Sequence, residues 1–469
     1  MPSRVVVPLI VACALFMQNL DSTCLATALP AIAASFDEPP VRLHLAITSY
    51  LLALAVFLPI SGWVADRFGA RLIFRVAIGI FSLGSIVCAV SATFPQLIVA
   101  RLVQGLGGAM MVPVGRLILV RSVEKSELVS AMVLMSMPAV VGPVMGPLLG
   151  GFITTYASWR WIFWINVPVG VVGIYLVTKF IEEVREADVK RFDWIGFFLS
   201  SFGIGGTLFA MDTGSIGHGG VDIVSLGVFV AGLMTLLLYV LHAARVDNPI
   251  LDLRLFKITT FRVSITGGSV FRLGVGAVPF LLPLLMQEGF GYNPFQSGAI
   301  TFVSAAGAFG MRTIARQVLR RFGFRTVLIW NALIAGGFIS LCAIFHPDTP
   351  RAVMMAIIFF GGVFRSLEFT SLSAIAFADV ESPQMSHATS LQQMAQRVSQ
   401  SMGVAISAFI LHVMGGDTPD VATFGWAFTL IGLLSATSAL SFFSLNSDAG
   451  AVLAGRSKGD GRLARARAE

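Results

Sequence analysis

Charge is what this chain of 469 residues lacks most: Asp, Glu, Lys and Arg make up only 12% of it, against 56% hydrophobic residues. A soluble domain of this length has too little interior to hide so much apolar surface, so its solvent is lipid. The period-2 alternation of a transmembrane barrel is also absent, which leaves helices, whose backbone groups are satisfied internally in hydrocarbon. Cysteine is scarce. Cys13, Cys24, Cys88 and Cys342 all fall inside apolar stretches, which argues against a disulfide framework and reads them as small buried hydrophobes. The six histidines are scattered and form no ligand cluster. No metal-ligand spacing, nucleophile elbow or Walker phosphate loop is present, so the chain does not read as an enzyme, no cofactor or metal is expected, and any pumping draws on an ion gradient.

What is present is a succession of apolar runs of about 20 residues, each long enough to span the hydrocarbon. Fourteen start near residues 7, 45, 72, 96, 128, 161, 194, 223, 263, 295, 326, 352, 390 and 422. The first resembles a signal peptide with Ala31-Ile32-Ala33 as its cleavage site, but Asp21 and Thr23 intervene and Arg4 is the sole basic residue ahead of it, so an uncleaved helix is expected. The net charge of +7 does not point to nucleic acid, because the basic residues lie at span ends and in short loops. Most fall in alternate breaks, and only Arg42, Arg160 and Arg351 lie on the opposite side, which predicts both termini in the cytoplasm. One break departs from the rule: Asp379 to His387 should be cytoplasmic yet holds two acids and no Lys or Arg.

The chain repeats itself, since Arg67-Phe68-Gly69-Ala70-Arg71 after span 2 returns as Arg321-Phe322-Gly323-Phe324-Arg325 after span 10. Spans 1 to 6 then match spans 9 to 14, and spans 7 and 8 are an inserted pair. The expected division is a six-helix bundle over 1–182, a linker with two inserted transmembrane helices over 183–257, a second six-helix bundle over 258–447, and a disordered basic tail over 448–469.

Three motifs carry more specific information. Gly62-Trp63-Val64-Ala65-Asp66-Arg67-Phe68-Gly69-Ala70-Arg71 ends span 2: Gly62 permits close helix approach, Gly69 a tight turn, the arginines can meet head groups and helix C-termini, and Asp66 can pair across the halves as a gate. Span 4 carries Arg101, Gln104, Gly105, Gly107 and Gly108, and an arginine at lipid depth needs a partner. Span 5 carries Gly142-Pro143-Val144-Met145-Gly146-Pro147-Leu148-Leu149-Gly150-Gly151, whose glycines fall on one stripe for intimate packing while its prolines free carbonyls for a bend. The span-2 loop resembles the signature of the major facilitator superfamily, the span-4 residues resemble its fourth-helix motif, and the span-5 segment resembles the motif that marks exporters. Leu20-Asp21-Ser22-Thr23 with Ala28-Leu29-Pro30, Trp159 to Pro168, and Asn248-Pro249 to Leu255-Phe256 extend the likeness to the fourteen-helix drug:proton antiporters of the EmrB/QacA type. Ala26 departs from the pattern, where Asn is usual.

The resemblance implies an all-α major facilitator fold of two six-helix bundles plus two inserted helices, set in a bacterial cytoplasmic membrane. It implies proton-coupled export of small lipophilic compounds, with protons, substrate and lipid bilayer as partners and no nucleic acid; it names no periplasmic adaptor. For coupling, Asp21 in span 1 exchanges a proton while Arg101 in span 4 compensates. Arg365 and Glu368, three residues apart in span 12, are expected to neutralise each other locally; the alternative makes Glu368 a second proton site with Arg272 of span 9 as its partner. Gln392, Gln393, Gln396 and Arg397 make span 13 amphipathic, lining a cavity or facing water, and Gln104 completes the candidate cavity set. Competing readings are export of an endogenous metabolite, siderophore or lipid, and, more remotely, a non-transporting receptor or scaffold.

Overall fold

The computed structural model describes residues 3–122, 128–183, 191–214, 223–381, 384–416, 419–451 and 453. Most of the expected tail, residues 454–469 with all its basic residues, lies outside these residues, as do Lys125 and Lys190. Among the described residues the regular structure is helical throughout. The helices are α1 (Ser3–Phe36), α2 (His44–Phe57), α3 (Ser61–Phe68), α4 (Ala70–Val90), α5 (Phe94–Ser122), α6 (Leu128–Tyr156), α7 (Trp161–Trp164), α8 (Asn166–Phe180), α9 (Trp194–Gly214), α10 (Ile223–Ala243), α11 (Thr259–Leu284), α12 (Pro294–Phe322), α13 (Phe324–Leu341), α14 (Arg351–Ile375), α15 (Met385–Gly415), α16 (Val421–Ala436) and α17 (Ser438–Phe442). Thirteen stretches among the described residues are long and apolar enough to cross a membrane. The remaining start, near residue 128, falls on α6, a helix of 29 residues.

Two compact units divide the chain, one of Met1–Ile250 with Pro283–Phe302 and one of Leu251–Leu282 with Val303–Glu469. The inserted pair α9 and α10 groups with the first unit. Their seam is made of small residues: Gly206 faces the Cα of Gly232 at 3.6 Å from where a side chain would begin, so the two backbones come as close as lipid-immersed helices need for dispersion contact. Phe197 of α9 stacks near Phe57 of α2, ring centres 6.3 Å apart. Asp193, just before α9, accepts from the backbone of Gly196 at 2.8 Å and lies 2.7 Å from His242 Nε2 at the end of α10, which ties both ends of the hairpin together. Large apolar side chains such as Ile223, Val224 and Leu237 remain exposed on α10, a surface suited to lipid rather than water.

In the first unit α1 packs on α6 and α5 on both α2 and α4. In the second, Phe271, Phe324, Leu328, Leu367, Leu372 and Phe442 bring α11, α13, α14 and α17 into one core. The sequence repeat is present as geometry in each. Gly69 and Gly323 both adopt positive φ, 100° and 79°, a region that L side chains rarely enter. Two residues on, Arg71 donates to the Thr178 carbonyl at the end of α8, and Arg325 donates to the Phe443 carbonyl just past α17 at 3.2 Å. Each guanidinium therefore meets the negative C-terminal end of a helix in its own unit.

Several expectations change at this level. Span 2 is interrupted, with α2 ending at Phe57 and α3 starting at Ser61, because Pro59 has no N–H to continue the ladder. Gly62 is exposed, and an added Cβ would find nothing within 4 Å among the described residues, so it serves no close approach. Cys13 is exposed while Cys24, Cys88 and Cys342 are buried, and all four are free thiols. Asp379, in the anomalous break, accepts from the Thr260 hydroxyl at 2.9 Å, and so fastens the start of α11.

Candidate functional site

Five helices of the first unit converge on Asp21. Its Oδ2 accepts from Arg101 Nη1 of α5 at 2.6 Å, and its Oδ1 accepts from Gln104 Nε2 at 2.9 Å and from Asn166 Nδ2 of α8 at 3.0 Å. Gln104 and Asn166 both reach Ser85 Oγ of α4, at 2.7 and 3.2 Å. Arg101 also donates to Gln104 Oε1 at 2.6 Å and to the Ala46 carbonyl of α2 at 3.0 Å, and its guanidinium lies 4.3 Å from the centre of the Tyr50 ring. Asp21, Ser85, Arg101, Gln104 and Asn166 are all buried, none above 2% exposed. A buried charge pair of this kind is stable only when every lone pair and proton is matched, and removing one partner typically costs about 3–5 kcal/mol.

The glycines of α5 and α6 set the geometry. A Cβ at Gly105 would press on Ala53 and on the Tyr50 carbonyl of α2, and one at Gly107 on Phe81 and on the Ala77 carbonyl of α4. Helix α5 is thereby held at backbone distance from both neighbours, and Arg101 and Gln104 reach Asp21 without spanning a gap. On α6, a Cβ added at Gly142 would lie 3.0 Å from Asn19, one at Gly146 would press on Thr23, and one at Gly150 on Cys24 and Thr27 of α1. These are matching four-residue rows, Gly142, Gly146 and Gly150 against Asn19, Thr23 and Thr27, on either side of the turn that carries Asp21. Gly151 faces another neighbour, the Pro294 carbonyl at the start of α12, within the same unit. Pro143 and Pro147 lie inside α6.

Chemically, a proton added to this site would change its contacts. Protonating Asp21 would remove the charge that holds Arg101 and turn into a donor an oxygen that now accepts, from Arg101 at Oδ2 or from Gln104 and Asn166 at Oδ1. The sequence motifs supplied Asp21, Arg101 and Gln104 but not Ser85, Tyr50, the Ala46 carbonyl or the role of Asn166. Asn166 had a legible signal, an amide inside an otherwise apolar span; Ser85 had none, being one small residue among many.

The other candidates distribute differently. Asp66 pairs with Arg121 Nη2 at 2.8 Å, a partner at the end of α5 in its own unit rather than across the halves; Arg67 is exposed. Arg365 and Glu368 do not neutralise each other: Arg365 donates to Ser304 Oγ of α12 at 2.6 Å, whereas Glu368 Oε2 accepts from Asn331 Nδ2 of α13 at 2.9 Å. The two side chains leave α14 toward different neighbouring helices. Arg272 is fully buried in α11 and is the charged group in electrostatic contact with Glu368. Gln392 is buried and Gln396 half-buried on α15.

The profile of the Major Facilitator Superfamily matches residues 11–249 and 264–465. A protein of Pectobacterium atrosepticum named MdtD, for multidrug resistance, is 39% identical over 413 residues, 88% of each chain. Its namesake in Serratia proteamaculans is 38% identical over 452 residues, 94% of this chain and 93% of that one. Among solved structures, a D-xylose-proton symporter superposes with a TM-score of 0.68 at 13% identity, covering 95% of this chain and 98% of that one. The nucleoside transporter NupG gives 0.61 at 12% identity, covering 95% and 100%. With helices of membrane-spanning length along its whole course and that profile over nearly all of it, the chain is a multi-pass membrane transporter, not an enzyme, and belongs to the Major Facilitator Superfamily.

Proposed function

We propose that this protein is a proton-coupled exporter of small lipophilic compounds, working by alternating access in a bacterial cytoplasmic membrane with both termini inside. The observation that carries the reading is the sealed Asp21–Arg101 pair, a carboxylate at membrane depth whose every contact would change on protonation. The names of the relatives, which refer to multidrug resistance, supply the substrate class, and the glycine seam between α1 and α6 lies where the exporter motif was expected. The working parts are the bundles over 1–182 and 258–447, with 183–257 as an inserted linker hairpin.

A second reading, a dedicated exporter of a metabolite, siderophore or lipid, draws on Ala26, a buried apolar residue where the drug-exporter pattern carries a polar one. The two separate in liposomes with an imposed pH gradient, following a lipophilic cationic dye and internal pH together. Dye accumulation with matched proton efflux is the expected result. Folded protein that moves protons with a metabolite but never with the dye would select the second reading.

A further inference from the structure

The second unit contains a charge that has no hydrogen bond among the described residues. Arg272 of α11 leans back toward its own helix's start, where Gly268 makes room for it; a Cβ there would lie 2.7 Å from Arg272 Nη1 and 3.5 Å from Leu372 Cδ1. Glu368 Oε2 of α14 accepts from Asn331 Nδ2 at 2.9 Å, and the same Nδ2 also donates to the Phe364 carbonyl at 2.8 Å. The heads of the two charged side chains are thus drawn to different neighbours. Among the described residues, Arg272 Nε, Nη1 and Nη2, Glu368 Oε1 and Asn331 Oδ1 are all buried without a hydrogen-bond partner. Phe369, with its ring centre 5.7 Å from the guanidinium carbon, softens the charge without accepting all of its protons.

The donor and acceptor inventory says what kind of molecule suits these atoms. A guanidinium presents five N–H donors, and the two free oxygens alone do not match them. An apolar ligand would leave every donor bare, a cation would be repelled by Arg272, and an anion would add a charge that the Arg272–Glu368 pair does not need. Water fits all three demands, accepting from Arg272 while donating to Glu368 Oε1 and Asn331 Oδ1. Packing does not require these residues. Displacement by the spacing of the repeated loop sets Gln18 and Ala77 of the first unit opposite Arg272 and Asn331, and Ala77 there belongs to an apolar core.

We propose that Gly268, Arg272, Asn331 and Glu368 enclose a buried water cluster that makes Glu368 a second proton-exchanging carboxyl, separate from Asp21. This deepens the reading of proton-coupled export and rests on it for its purpose, though not for its test. An excess proton carried by the cluster passes to Glu368 Oε1 and leaves neutral water behind; Arg272 is the charged group facing the carboxylate, Asn331 fixes its other oxygen, and Arg365 is engaged by Ser304.

Infrared difference spectra of the reconstituted full chain, taken between neutral and acidic pH, read the carboxyl and the bound water without any transport substrate. Beside any band from Asp21, a further protonated-carboxyl band that shifts in deuterated water is expected in wild type and in Asp21→Asn, and lost in Glu368→Gln. A bound-water band sensitive to heavy-oxygen water is expected in wild type and Arg272→Lys, and lost in Arg272→Met. A Glu368→Gln spectrum identical to wild type overturns the proton site, and water bands indifferent to Arg272→Met overturn the cluster. Because Glu368→Gln and Arg272→Lys preserve size and polarity, a folded control exists for each arm. Failure of dye transport with both bands present would reject the reading as an exporter of lipophilic drugs and leave this site standing.

Discussion

At the scale of single residues, the account depends on which polar side chains in lipid find partners. Asp21 and Arg101 announced themselves in the sequence, because a charge in an apolar run is too costly to be incidental. Their partners did not, since Ser85 and a backbone carbonyl carry no mark until the helices are assembled. Spacing alone misled at Arg365 and Glu368: three residues apart on a helix permits a pair, but α12 and α13 each offered a nearer partner. Asn166 shows what the assembled structure adds. Replacing it with Leu removes one donor from Asp21 Oδ1 and one from Ser85, and such a loss costs about 1–3 kcal/mol. Asn166→Leu is therefore expected to unfold at lower temperature in detergent, with the Asp21–Arg101 pair still formed; unchanged melting would show that the amide contributes no stability.

Between helices, the decisive residues are those with no side chain. The glycine stripe of α6 was readable from its four-residue period, and the structure gives it a specific counterpart in Asn19, Thr23 and Thr27. Gly62 was equally conspicuous in sequence and faces open space, because a motif's spacing does not say which neighbour arrives. The pair makes an internal comparison. Gly150→Ala forces a methyl against the backbone of Cys24 and the Thr27 hydroxyl at 2.7 Å, an overpacking cost of about 1–3 kcal/mol. Gly62→Ala meets nothing and should melt like wild type. Equal thermal midpoints for the two variants would refute the close α1–α6 seam.

Across the whole molecule, helix number and repeat were the most legible features. Hydrophobic length is a property of the chain alone, and the loop around Gly69 returns at Gly323 with the same backbone and the same arginine at a helix end. The grouping of α9 and α10 with the first unit, and of Pro283–Phe302 with it, was not legible, since both depend on contacts distant in sequence. The halves share a scaffold but not their polar chemistry: the first holds a directly bonded Asp21–Arg101 pair, and the second an Arg272–Glu368 pair that lacks direct bonds.

The central claim is that Asp21 couples protons to export, and Asp21→Asn in proteoliposomes tests it most directly, with uphill dye accumulation and dye-for-dye exchange measured on the same preparation. Asparagine keeps the size of the side chain and one acceptor for Arg101 but cannot exchange a proton. The account predicts that uphill accumulation driven by the pH gradient falls to background while exchange persists. Uphill, proton-coupled accumulation retained at the wild-type level would contradict it.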